Sequence, residues 1–314
     1  YSHLMLLAVL AAHAVWILWM RRGQWRSFAL AAATALLLFA PWLLLFVGGR
    51  EDIAVVTAWM KAAVPVAQLS KAWLAHLTHL FFDRGEPMYG SLWVLPLIAF
   101  ALYVTFRSAP VAAGRLLWLL LLCTAGAVIG PDLVLGGRRS QEARYLLPAL
   151  LVLSYLIAYA LQRTLQHGRR LPRGVALAVW CGLLGLALLS DVRYVQSETW
   201  WNKSMSRANH EVGRIIDAAQ RPLVLTTDGE TNPGELLSVA YEVDAKTRFM
   251  PADRDAPPDP RTLDGDVFLL TPSPQLLAYF AARGAVTELH HGGRLWTFKA
   301  TQNTARVAAT TGRR

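Results

Sequence analysis

Cysteine is nearly absent from this chain, and acidic charge is missing from several of its loops. The two cysteines among 314 residues, Cys123 and Cys181, both lie inside apolar stretches, which excludes a disulfide framework as the basis of the fold. Charged residues amount to 17% against 54% hydrophobic ones, too few for an ordinary soluble protein. No glycine-rich dinucleotide loop, nucleophile-elbow serine or Walker lysine motif occurs, so the motif-borne routes to nucleotide binding and serine hydrolysis are excluded. Apolar runs of membrane length are also absent after residue 189.

Before residue 189 such runs dominate. Six apolar stretches, at 4–20, 27–47, 88–106, 116–135, 145–161 and 175–189, approach the roughly 20 residues that span a hydrocarbon core. They predict a membrane all-α helical bundle of about six spans over 1–189. The formal charge of +10 belongs to this half: residues 1–189 hold 16 Lys/Arg against 6 Asp/Glu, whereas 190–314 hold 15 of each. A basic footprint confined to the apolar half argues against nucleic acid as a partner. Residues 21–26, 107–115 and 162–174 contain nine arginines and no acid, which by the positive-inside tendency sets them in the cytoplasm. Segments 48–87 and 136–144, and everything after 189, then face outward. The chain begins with Tyr1 and an apolar stretch, without an initiator Met or a signal-peptide pattern, and reads as a piece with earlier helices upstream.

The outward segment 48–87 spaces its apolar residues at three and four, interrupted by Lys61, Pro65 and Lys71, and predicts amphipathic helices at the membrane surface. It serves either as a packed collar or as a substrate-contacting element. His76 and His79 sit three apart there but have no Cys or acid at ligand spacing, so they predict no metal site by themselves. From 190 to 300 the texture changes to a small soluble α/β domain. Helices are expected at 207–220, 232–241 and 273–283, and strands at 222–227, 247–250, 266–270, 286–290 and 295–299. Residues 301–314 are expected to form a frayed tail. Asp228, Glu230 and Glu235, in the strand-to-helix turn at 226–235, read as turn chemistry because acids repel a phosphate. Asn202 opens a glycosylation sequon, a pattern common by chance.

The candidate site is the stretch GGRRSQEARYLLPALL at 136–151. Arg138, Arg139 and Arg144 stand on the side where the charge bias does not call for them, with Glu142 as the only acid among them. Two readings are open: snorkelling at the lipid boundary, or an anionic head held by guanidinium forks. Tyr145 adds an interfacial hydroxyl beside the N-terminus of the next helix. Asp132 is the one Asp, Glu, Lys or Arg in the six stretches. An acid at that depth is either a functional group or the partner of Arg138 or Arg139. Trp200 and Trp201, with Lys203, read as interface anchors or as a stacking surface for a sugar.

The segment PDLVLGGRRSQEARYLLPALL at 131–151, together with WWNK at 200–203 and GELLSVAYEVDAKTRF at 234–249, resembles bacterial polytopic glycosyltransferases. The similarity is to the protein O-mannosyltransferase-like group of the GT-C superfamily, and especially to its cyanobacterial members, over about residues 80–300. The resemblance implies an enzyme of the bacterial inner membrane that takes a sugar from a polyprenyl-phosphate carrier and transfers it to a glycan, lipid or protein acceptor on the outer face. It implies carrier binding by Arg139, Arg144 and Tyr145, and a divalent metal in some members. It sets the catalytic acid in a loop upstream of these residues, so no catalytic residue is carried over. A flippase for lipid-linked sugars would line a path with charges inside the spans, whereas Asp132 alone is present. A non-catalytic envelope assembly protein is the other alternative.

Overall fold

The computed structural model describes residues 2–50, 53–54, 57–83, 92–199, 206–227, 231–290 and 292–300. The chain divides into two compact units, residues 1–196 and 197–314.

The first unit is helical. Its helices are α1 (Ser2–Met20), α2 (Trp25–Gly48), α3 (Val66–Thr78), α4 (Val94–Ser108), α5 (Val111–Val134), α6 (Ala143–His167) and α7 (Arg170–Gln196). Among the described residues, four segments are long and apolar enough to cross a membrane: Arg22–Gly48, Val111–Val134, Ala143–His167 and Arg170–Gln196. Leu6–Met20 and Val94–Ser108 are two further apolar helical stretches, each shorter over the described residues. Of the stretch expected from 88, residues 88–91 lie outside the described residues, and the helix runs from Val94 with Pro96 in its first turn, where a missing amide costs least. At the other end, α7 overruns its apolar stretch on both sides, since Arg170, Arg173 and Arg193 favour helix as well as many apolar residues do.

Helix α6 is the hub. Leu146, Ala149, Val152, Leu153, Leu156, Ile157, Ala160 and Leu161 are buried, spaced so that one broad face meets α4, α5 and α7. Ala149 and Ala160 let neighbouring backbones approach, the usual basis of helix packing in an apolar solvent. Helix α1 is fastened to the start of α5. Trp16 donates from Nε1 to the Ala112 carbonyl at 2.7 Å, and the Arg115 guanidinium lies 4.4 Å from the Trp19 ring centre. In contrast, α2 buries no residue. Within 48–87, a 3-10 turn at Ala58–Lys61 precedes α3, whose buried residues are Leu69 and Thr78.

The second unit is a five-stranded sheet with three helices: α8 (Asn209–Asp217), α9 (Pro233–Glu242) and α10 (Pro274–Ala281). The strands are β1 (Pro222–Thr227), β2 (Arg248–Ala252), β3 (Asp266–Leu270), β4 (Gly284–His290) and β5 (Leu295–Ala300), in sheet order β2-β1-β3-β5-β4. β1 runs parallel to both its neighbours, while β5 is antiparallel to β3 and β4. Alternation along β1 divides the core. Leu223 and Leu225 join Leu276 and Phe280 of α10, whereas Val224 joins Val212 and Ile216 of α8 and Val239 of α9. Asn232 and Ser273 cap α9 and α10 by accepting from the amides of Gly234 and Leu276, each with proline at the first helical position.

Candidate functional site

Asp132 lies in the last turn of α5, its side chain fully buried. Both carboxylate oxygens are engaged. Arg139 donates from Nη1 to Oδ1 at 2.9 Å, and Ser140 donates from its amide and its hydroxyl to Oδ2, each at 2.7 Å. A buried carboxylate is tolerated only when it is paired and hydrogen-bonded in this way.

Glycine makes the arrangement possible. Gly136 and Gly137 adopt φ of +75° and +136°, which reverses the chain over Asp132. At Gly137 a Cβ would come within 2.5 Å of Arg139 Nη1 and 2.8 Å of Asp132 Oδ1. The amide of Arg138 then donates to the Met60 carbonyl at 3.0 Å, tying the turn to the segment before α3.

The three arginines therefore do not form one cationic pocket. Arg139 is matched by Asp132 and also donates to the Gly136 carbonyl at 3.2 Å. Arg138 sits 5.9 Å from the Trp59 ring centre, with its buried Nε lacking a hydrogen-bond partner. Arg144 stands apart on the first turn of α6: its side chain is 65% exposed, 3.8 Å from Glu142, and stacks over the Tyr145 ring at 5.2 Å. Tyr145 is buried with Val128 and Leu146 against Trp59, Met60 and Trp73, so its ring is a packing element that also carries Arg144.

Arg144 heads a groove of about 590 Å3 that descends between α1, α5 and α6 along His13, Leu147, Pro148, Leu151 and Tyr155. Apart from Arg144, His13 and the Tyr155 hydroxyl its walls are hydrocarbon.

Helix α3 lies against the 3-10 turn at Arg139–Gln141. His76 Nε2 is buried there without a hydrogen-bond partner among the described residues. Burial pulls its imidazole below the ordinary histidine range and His79 adds to this, against the opposing influence of the Ser140 and Gln141 backbone and of Glu142. His79 donates from Nδ1 to the Ala75 carbonyl at 2.7 Å and stands 4.0 Å from Asp83. Among the described residues no group of three or more His, Cys, Asp or Glu side chains could hold a metal. The parts that sequence reasoning missed are Trp59 and Met60, and the docking of His76 against the 139–141 turn. The helical spacing of 48–87 is the one signal that pointed towards them.

In the second unit Glu235 is buried on the first turn of α9, and Arg294 donates to it from Nη1 at 3.3 Å. Burial pushes its carboxyl up, with Arg294 partly offsetting the shift. Asp228 and Glu230, like Trp200, Trp201, Asn202, Lys203 and the tail at 301–314, lie outside the described residues.

No protein-family model, curated protein or solved structure matches the chain. The fold and site by themselves define a helical unit, with four membrane-length apolar segments among the described residues, followed by a small α/β domain.

Proposed function

We propose that this chain belongs to a membrane glycosyltransferase that uses a polyprenyl-phosphate-linked sugar and acts on the outer face of a bacterial inner membrane. The supporting observation is the pairing of an exposed cation with a hydrocarbon slot: Arg144 heads an apolar groove of about 590 Å3. A lipid phosphate has that polarity pattern, a charged head on a long apolar tail. The helix-α6 N-terminus beside Arg144 adds positive potential. The resemblance of 131–151 to the O-mannosyltransferase-like group supports the same reading.

In this reading a carboxylate acting as general base takes the proton of the acceptor hydroxyl, which attacks the anomeric carbon. The bond from that carbon to the carrier phosphate breaks, with inversion. Arg144 stabilises the charge left on the phosphate. Arg139 keeps a different task, since Asp132 already neutralises it: the pair fixes the turn that presents Arg144. The orientation follows the charge bias, with 107–115 and 162–174 in the cytoplasm and 136–144 outside.

The test is binding of a polyprenyl phosphate to the full-length protein in detergent. Arg144→Ala should weaken it at least about tenfold, on the scale of one lost charge-assisted contact, with the melting temperature unchanged because the side chain is exposed. Unaltered affinity in a folded R144A protein removes the proposal.

A further inference from the structure

At the opposite end of α6 lies a second cavity that the glycosyl-transfer reading does not use. It encloses about 490 Å3 between the turn joining α4 to α5 and the last turns of α6, and is lined by Ser108, Pro110, Tyr159, Gln162, Arg163 and Gln166. That size falls within the roughly 300–1,000 Å3 of small-molecule sites. The Tyr159 hydroxyl donates to the Ser108 carbonyl at 2.8 Å and fixes the turn against α6. The cavity also opens at the N-terminal end of α5, the positive end of a 24-residue helix.

The charge around it is of one sign. Arg163 makes its polar side-chain contacts to the ring nitrogens of His167, at 3.1 and 2.8 Å, and Arg173 donates to the Gln166 carbonyl at 3.1 Å. Residues 107–115 and 162–174 contribute six arginines and no acid. A guanidinium whose polar side-chain neighbour is an imidazole lacks the anion that would satisfy its fork. The two carboxamides offer both donors and acceptors, which suits hydroxyls beside a phosphate.

Depth separates this site from the first. Arg163 follows Arg144 by 19 positions on one helix, which is about 28 Å at about 1.5 Å per residue. The hydrocarbon core is about 30 Å thick. In a bilayer crossed by α6, that spacing would set the two arginines at the two headgroup levels.

We infer that the cavity around Arg163 holds the headgroup of an anionic phospholipid in the leaflet opposite Arg144, with the phosphate on the guanidinium and glycerol hydroxyls on Gln162 and Gln166. The inference rests on the membrane orientation proposed above, not on the carrier or the reaction. Basic pockets between spanning helices on the cytoplasmic side commonly hold such headgroups.

The experiment is native mass spectrometry of the full chain released from micelles containing phosphatidylglycerol or phosphatidylethanolamine. Arg163→Gln should lower phosphatidylglycerol retention at least about tenfold, the low end of a lost charge-assisted contact, with phosphatidylethanolamine unchanged. Gln166→Glu, on an exposed position that leaves folding intact, should do the same by neutralising the cavity. Arg170→Gln, one charge removed outside the cavity, should leave retention unchanged. Equal loss in R170Q would reduce the site to diffuse charge and overturn the inference, as would full retention in Q166E. Displacement of the lipid by inorganic phosphate would make it a soluble-phosphate site and overturn the lipid assignment. Loss of phosphatidylglycerol in R144A with R163Q unaffected would do so as well. Carrier binding, read separately in R144A, reports on the other site.

Discussion

Arg139 and Asp132, seven residues apart in sequence, form a 2.9 Å ion pair in which the carboxylate is fully buried and the guanidinium is 28% exposed. The pair closes a turn. It gives the sequence GGRRS a structural task and leaves Arg144 as the exposed cation.

Removing both members should cost less than the two single losses added together. Asp132→Ala strands Arg139 and both donors of Ser140, and breaking a buried pair from one side costs about 3–5 kcal/mol; partial exposure of Arg139 puts the expected loss at the lower end. D132N, which keeps an acceptor, should lose less. In thermal unfolding of detergent-solubilised protein, D132A/R139Q should be more stable than the sum of the single losses by about 0.5–3 kcal/mol. Strict additivity would show that the two side chains are not coupled.

The two glycines of the turn should differ sharply. Gly137→Ala must accommodate a Cβ at 2.5 Å from Arg139 Nη1 and 2.8 Å from the Met60 carbonyl as well as a φ of +136°. At Gly136 the nearest neighbour would be the Ala63 Cβ at 3.8 Å, so G136A carries backbone strain alone, about 1–2 kcal/mol. Melting temperatures should rank wild type, then G136A, then G137A. A G137A protein as stable as G136A would mean that the turn relaxes without disturbing the ion pair.

Much of the second unit was readable from sequence, and the turn was not. Strands β1 and β3 have the bounds expected from PLVLTT and DVFLL, because short apolar runs closed by Pro, Asp or a polar pair leave little latitude. The partner choice of Asp132 was left open between Arg138 and Arg139. It depends on two positive-φ glycines and on Met60, which lies more than seventy residues upstream. Helix ends in the first unit ran past their apolar stretches for a related reason: hydropathy marks what lipid tolerates, whereas the helix continues as long as backbone bonds and side-chain propensity allow.

Acid should loosen α3 from the 139–141 turn. His76 is held below the ordinary histidine range chiefly by burial, so the opened state takes up a proton before the docked one does. The docking free energy is then complete above the ordinary range and declines as pH falls through it towards the depressed value. The facing ionisable groups are His79, Glu142, Arg138, Arg139 and Asp83. Amide exchange in 66–78 and 136–141, corrected for intrinsic rates, should accelerate between about pH 7 and pH 5.5, a window set by the ordinary histidine value. H76Q should flatten the response, and an equal response in H76Q would assign it to another group.

Glu235 carries the opposite sign. Burial raises its carboxyl, offset in part by Arg294 at 3.3 Å, so the folded second unit binds this proton more tightly than the unfolded chain. Its contribution is complete below the unfolded value and is lost as pH rises through the raised one. Exchange protection of β1 and β3 should therefore fall as pH climbs out of the carboxylate range. Glu235→Gln, which removes the titration while keeping an acceptor for Arg294, should abolish that slope. E235A should also abolish it but with lower protection at every pH, because Arg294 loses this buried acceptor. A slope that survives in both variants would show that the proton binds elsewhere. A slope that survives in neither, with protection in E235Q above wild type at neutral pH, would show that the charged carboxylate costs the fold more than its pairing with Arg294 returns.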